Sequence, residues 1–189
     1  MPIFLETNRL VLRPLSKEDM VPFLAYRNDP QVYIYQGWKV PYLREQAEDF
    51  IFHNSSFKTV PVGEWLQLAI IPKNSDNISK PVMIGDIAFH ITRSNPRLAY
   101  IGYTLERSAW GKGYAREAAQ AVLDYLFRVE NMHRVIADCD VMNLSSVRLL
   151  ERLGFRREAH YLESYWMESS QSWGSEYLYA LLQREWLLR

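Results

Sequence analysis

The run Trp110-Gly111-Lys112-Gly113-Tyr114-Ala115-Arg116-Glu117-Ala118 carries the residues best suited to chemistry. Its two glycines stand where a strand ending near Leu105 gives way to the most regular helical pattern in the chain. Without Cβ atoms they let backbone N–H groups approach a bound group closely, and a helix start adds unpaired donors with partial positive charge. A phosphate or pyrophosphate suits that arrangement, although a plain tight turn uses glycine for the same conformational reason. Lys112 and Arg116 either add charge there or are simply solvated. Two familiar phosphate motifs fail on these residues. A Walker A loop needs a Gly-Lys-Ser/Thr that is missing, and Arg116 occupies the third glycine of a dinucleotide fingerprint.

The elements that must position this loop follow from apolar periodicity. Residues 9–15 alternate as a strand, and Ser16-Lys17-Glu18-Asp19 opens a helix that Asn28-Asp29-Pro30 stops, since the residue before proline avoids helical angles. An irregular aromatic stretch, 32–42, leads to a second helix over 43–57. Strands are predicted at 64–71, 82–92 and 98–105, with a polar segment at 72–81, making a meander. Ala115, Ala118, Ala119, Val122 and Leu126 then mark an amphipathic helix over 114–130. A strand at 134–140 and a short helix at 143–153, ended by Gly154, come next. Two strands, 155–168 and 174–188, joined by a loop at 169–172, close a mixed α/β fold expected to form one domain over 1–189.

Composition narrows the partners. The chain has 189 residues, 48% of them apolar, enough for a core, and 22 basic residues balance 22 acidic ones. Such a balance gives no basis for wholesale binding of nucleic acid or an anionic membrane. The one cysteine, Cys139, the start without a signal-peptide pattern, and apolar runs too short to span a bilayer lead to the expectation of a cytoplasmic protein with no membrane segment. No Cys/His set has metal-ligand spacing, so no metal is expected. Cys139, between Asp138 and Asp140, reads as a small buried residue rather than a nucleophile.

The glycine loop resembles the acetyl-CoA loop of the GNAT N-acetyltransferase superfamily, whose pattern is Arg/Gln-x-x-Gly-x-Gly/Ala before a helix. Here the first of its residues is Trp110, and Trp-Gly-Lys-Gly-Tyr-Ala is similar to the RimJ/RimL branch. Further signatures of that branch follow in order: Thr7-Asn8-Arg9-Leu10-Val11-Leu12-Arg13, Asn28-Asp29-Pro30, Ile101-Gly102-Tyr103-Thr104-Leu105, Asn143-Leu144-Ser145-Ser146 and Leu149-Leu150-Glu151-Arg152-Leu153-Gly154-Phe155. The resemblance implies a twisted, mostly antiparallel sheet of about seven strands with about four helices, and an acetyl-CoA site at a splayed strand pair. It implies that the backbone of Gly111, Gly113, Tyr114 and Ala115 binds pyrophosphate, with Leu105, Trp110, Lys112 and Arg116 beside it. Asn143, which as an N-cap needs no ligand, would also bond the pantetheine arm. By its match to the branch pattern, Ser146 would stabilise or protonate the departing thiolate, many relatives having a tyrosine where Leu150 stands. Tyr33, Tyr35 and Trp38, in the aromatic stretch, would wall the acceptor site, a role that core packing explains equally well.

Direct attack of a bound primary amine on the thioester needs that amine neutral. Relatives place a glutamate where this chain has Tyr100, which makes Tyr100 the catalytic candidate there, although a phenol of pKa ~10 is a poor base at pH 7. Asp86, Glu163, Glu176, His90 and His160 are the alternatives. The resemblance thus implies an acetyl-CoA-dependent N-acetyltransferase, monomeric or homodimeric, acting on an α-amine such as a protein N-terminus. A non-catalytic acyl-CoA-sensing module that has lost its base is the competing expectation. A stand-alone interaction domain would have no use for a phosphate cradle.

Overall fold

Period-two alternation of apolar residues builds one sheet, which the computed structural model describes through residues 3–73, 81–167 and 170–189. Its strands are β1 (Leu5–Glu6), β2 (Leu10–Pro14), β3 (Trp65–Pro72), β4 (Gly85–Ile91), β5 (Leu98–Leu105), β6 (Arg134–Asp140), β7 (Arg156–Met167) and β8 (Ser172–Leu182). They lie in the order β1-β2-β3-β4-β5-β6-β8-β7, and all neighbours are antiparallel except β5 and β6. The helices are α1 (Met20–Arg27), α2 (Pro30–Tyr33), α3 (Arg44–Ser55), α4 (Tyr114–Asp124, prolonged by a π turn), α5 (Leu144–Arg152) and α6 (Gln183–Leu187).

The mixed α/β, mostly antiparallel sheet expected from sequence is present, with eight strands and six helices among the described residues. Strand β1 is two residues long, too short for alternation to reveal. Helix α2 is a single turn capped by Asp29, whose carboxylate accepts from Gln31 N at 2.9 Å. The last strand stops at Leu182 because the chain turns there into α6. Glu185 accepts from Leu182 N at 2.9 Å, and the buried Trp186 donates its indole N–H to Asp124 at 2.9 Å. The polar segment at 72–81 lies mostly outside the described residues, as does part of the loop at 169–172.

Alternation divides the core between the two faces. On one face, Leu10, Leu12, Leu68, Ile87 and Phe89 pack against Ala118, Ala119 and Val122 of α4. On the other, Ala69 and Ile71 meet Phe23 and Tyr26 of α1 and Ala47 and Ile51 of α3. Between them, β5 and β6 share only the rungs Leu98–Arg134, Ala99–Val135 and Tyr100–Ile136. Past Tyr100 the two strands part. Each stays paired on its other side, β5 with β4 and β6 with β8, so only the facing edges lose partners.

A buried ion pair fixes the α1 face. Arg27 and Asp86 are 5% and 2% exposed, their charged atoms are 3.4 Å apart, and the Tyr26 hydroxyl also donates to Asp86. Burial is the main cause that raises the Asp86 pKa, opposed by Arg27 and Tyr26. The guanidinium lies 4.2 Å from the ring centres of both Phe23 and Trp38, with Tyr42 and Phe50 also against it. Removing one partner leaves the other charge stranded. We therefore expect Asp86→Ala to cost about 3–5 kcal/mol in chemical denaturation. Asp86→Leu combined with Arg27→Met should recover most of that loss. A loss below about 1 kcal/mol for the single variant would contradict it.

Candidate active site

The glycine loop lies at the start of α4 with both glycines left-handed, Gly111 at φ +74° and Gly113, the N-cap, at φ +80°. A Cβ placed on Gly111 would meet nothing within 4 Å beyond its chain neighbours, whereas one on Gly113 would meet the Arg9 guanidinium at 3.4 Å, so the clearance at Gly111 is not filled by the fold. Lys112 and Arg116 are exposed, Tyr114 and Ala115 half-buried, and Trp110 donates its indole N–H to the carbonyl of Leu105 at 2.9 Å. The turn between β1 and β2 clasps the loop from the side. Arg9 donates to the Lys112 carbonyl at 2.9 Å and to Glu117 at 2.6 Å, and Thr7 donates to Glu117 at 2.5 Å. Burial would raise the Glu117 pKa, but Thr7 and Arg9 hold it below the usual carboxylate range. An open groove of about 830 Å³ runs from Gly113 along the outer side of α4 past Arg116 and Arg128.

Where β5 and β6 part there is a second cavity of about 110 Å³. Ile101, Gly102 and Tyr103 of β5 form one wall, residues 137–140 of β6 another, and Asn143, Ser146 and Leu150 the end, with Tyr35 and Gln36 closing it. Its size is that of roughly four waters, suited to the reacting ends of two molecules rather than a whole cofactor. We place the chemistry here. The larger groove lacks any such convergence of hydroxyls and carboxylates between unpaired strand edges.

Asn143 is the N-cap of α5, its Oδ1 accepting from Ser146 N at 3.1 Å, while its Nδ2 donates to no described residue. The Ser146 hydroxyl makes no bond back to a helix carbonyl. It stands beside the phenol of Tyr103, whose oxygen is buried without a hydrogen-bond partner. Burial raises the Tyr103 pKa, and the neighbouring Ser146 hydroxyl opposes that rise without reaching hydrogen-bond geometry.

The aromatic candidates separate. Tyr35 lines the cavity; Trp38 is spent on Arg27, stacking on its guanidinium and donating to its carbonyl at 3.0 Å; Tyr33 ends α2, half-buried and outside the lining. Tyr100 sits on the last shared rung, its ring 6.2 Å from that of His90, one step short of the cavity. Among the alternative bases, Asp86 is held by Tyr26 and Arg27, His90 stacks on Trp65, and His160 packs edge-on against Tyr177. Glu163 is exposed, and Glu176 lies on β8 opposite Asp140.

Four cavity residues went unnoticed as site candidates: Gln36, Tyr103, Asp138 and Asp140. The carboxylates carried a usable signal, because Asp138 and Asp140 flank Cys139 and so share the face opposite to it. Asp140 is 6% exposed and engaged, accepting from Met142 N at 2.6 Å and from the Tyr165 hydroxyl at 2.5 Å. Tyr165 reaches it across β8, where Gly174 has no side chain: a Cβ there would stand 2.6 Å from the tyrosine ring. The register of β7 slips between Tyr161 and Tyr165, at a bulge containing Glu163 with φ +46°.

The cavity is electronegative. Burial, and after it Asp138, Asp140 and Glu176, push the Cys139 thiol up to about 12. Among the described residues, no lysine or arginine lines the cavity and no group of His, Cys, Asp and Glu is disposed to hold a metal ion.

A model of the family described as Acetyltransferase (GNAT) domain matches residues 9–156. The chain belongs to the GNAT acetyltransferase family. It is 31% identical over 182 residues to an uncharacterised N-acetyltransferase, YnaD, of Bacillus subtilis, covering 95% of this chain and 97% of that one. It is also 33% identical over 97 residues, about half of each chain, to the ribosomal protein uS5 alanine N-acetyltransferase of Escherichia coli. The crystal structure of a GNAT-family acetyltransferase from Bacillus anthracis superposes with a TM-score of 0.80 at 29% identity, covering 97% of this chain and 100% of that one. As a member of the GNAT family this chain is an acetyl-CoA-dependent N-acetyltransferase.

The raised thiol gives a direct check on the electrostatics of this GNAT cavity. At pH 8 a thiol titrating at about 12 is almost wholly protonated. Native Cys139 should therefore react with a disulfide reagent about fiftyfold more slowly than in the urea-unfolded chain, the loss of thiolate outweighing its greater nucleophilicity. Comparable rates in the two states would show that the carboxylates do not act on the cavity.

Proposed function

We propose that this GNAT chain transfers acetyl from acetyl-CoA to the α-amine of a peptide, a protein N-terminus or an amino acid, as a RimJ/RimL-like enzyme of the cytoplasm. The observation that carries this is the carboxylate-lined cavity where β5 and β6 part, free of lysine and arginine and ended by the start of α5. A site of that charge favours an ammonium group and works against an anionic acceptor. The Escherichia coli relative, by its name, is an N-acetyltransferase of an alanine of ribosomal protein uS5, which supports the choice of an α-amine. So does acid–base chemistry: at pH 7 an α-amine of pKa ~7.7–8.0 is neutral far more often than a lysine-like amine near 10.4.

In this reading the backbone N–H groups at Gly111, Gly113, Tyr114 and Ala115 hold the pyrophosphate, with Lys112 and Arg116 beside it. Unpaired edges of β5 and β6 and the free Nδ2 of Asn143 take the amide-rich arm, so the thioester ends in the cavity. Ser146, backed by Tyr103, stabilises the thiolate as it leaves. Tyr35 borders the acceptor. Positioning supplies most of the rate, by bringing amine and thioester together in one small space.

The test is a screen of acetyl-CoA consumption over peptides and small amines, read by free-thiol release. Peptide α-amines should turn over best; cofactor binding without turnover on any amine would favour the sensing module. Gly111→Ala, which fills the open side of the loop, should weaken CoA binding about tenfold in calorimetry, with a stability cost of about 1 kcal/mol from its positive φ. An unchanged affinity would take the pyrophosphate away from this loop. Ser146→Ala should lower kcat about tenfold or more while CoA affinity stays within twofold, since a thiolate stabiliser acts as charge develops on sulfur. A loss in affinity alone would make Ser146 a binding residue.

A further inference from the structure

We propose that Asp138 is the general base of this transferase, taking a proton from the acceptor ammonium on the wall of the cavity opposite Ser146. The inference rests on the acetyl-transfer reading above and adds a residue to it. Along β6, Val135, Ala137 and Cys139 face the core under α4, so Asp138 and Asp140 point to the other side of the sheet, where the chain carrying Tyr35 and Gln36 closes the cavity. Ser146 and Tyr103 enter from the α4 and α5 side. One wall thus offers a proton acceptor and the other offers hydroxyl donors, with the parted strands between them.

Of the two carboxylates that line the cavity, Asp138 is the one without other duty. It accepts no hydrogen bond among the described residues, whereas Asp140 is taken by Met142 N and Tyr165, and Asp86 by Tyr26 and Arg27. The ionisable groups that line the cavity with it are Cys139 and Asp140 on its own strand, Tyr103 on β5 and Tyr35, and Glu176 on β8 acts on it. None is a fixed cation. Asp138 is exposed at the cavity mouth, and its partial burial, and then Glu176, push it up to about 6. At pH 7 it is therefore mostly ionised and still about a hundredfold more basic than an ordinary aspartate at ~3.9. Tyr100 lies on the last shared rung, and Asp138 stands two residues beyond its partner Ile136 on the neighbouring strand.

The step balances without a further reactant. Asp138 removes one proton from the ammonium, and the nitrogen lone pair forms the C–N bond at the thioester carbonyl. The C–S bond then breaks with its electron pair on sulfur, beside Ser146. The second proton lost from nitrogen neutralises the thiolate, and Asp138 returns its own proton to solvent.

The experiment is a pH–rate profile of kcat/KM for two acceptors of different pKa, with the wild type, Asp138→Asn, Asp138→Glu and Glu176→Gln, each checked by thermal melting and by calorimetry with CoA. In the wild type, activity should rise with pH through about 6 for both acceptors, since the base works only when deprotonated. Asp138→Asn should keep its fold and CoA affinity, lose about a hundredfold in rate at pH 7, and follow each acceptor's own pKa. Asp138→Glu should restore part of the rate, and Glu176→Gln should move the inflection downward by removing a like charge. A folded Asp138→Asn enzyme with the wild-type rate and inflection overturns the assignment alone. A wild type that turns over no amine while binding CoA overturns the transferase reading and this assignment together.

Discussion

Everything in the site depends on β5 and β6 sharing a ladder of three rungs and no more. Parallel neighbours of this length would ordinarily pair throughout, because an unpaired backbone donor or acceptor away from water is costly. Here β4 and β8 satisfy the outer edges of the two strands along their lengths, which confines the loss to one side of each. The unsatisfied edges face the space into which the cap of α5 and the residues after α2 converge. Close the gap and Ser146, Asp138 and Tyr35 would no longer share a cavity.

What the sequence made legible was local. The glycines before a periodic helix, Asn143 at the head of α5 and Gly154 at its end each declare themselves through backbone conformations that few residues adopt. The sheet's longer strands, all but β1, were visible because their two faces differ in polarity or burial. What stayed hidden depends on contacts distant in the chain. Trp186 closes the tail as a helix only because Asp124, 62 residues earlier, is there to accept its N–H. Trp38 could not be told from an acceptor-site ring until Arg27 was seen to occupy it, and Asp138 stood out in the sequence only as a neighbour of Cys139. Its meaning comes from the strand that fails to pair beside it.

Zero net charge conceals a sharp local division. Exposed Lys112 and Arg116 stand at the start of α4, while Asp138, Asp140 and Glu176 gather at the sheet's parted edge. The one deeply buried arginine, Arg27, is walled off from that edge by four rings and tied to Asp86, so its charge serves the core and leaves the cavity negative.

The slipped register of β7 bears on how such a protein changes over generations. Between Tyr161 and Tyr165 the strand already carries residues that no rung of β8 requires, while pairing resumes on both sides of them. Gain or loss of a residue there therefore leaves the sheet intact and alters how far Tyr165 leans over Gly174 toward Asp140. The length of one bulge thus acts on Asp140 through Tyr165 without touching the cofactor loop or the core.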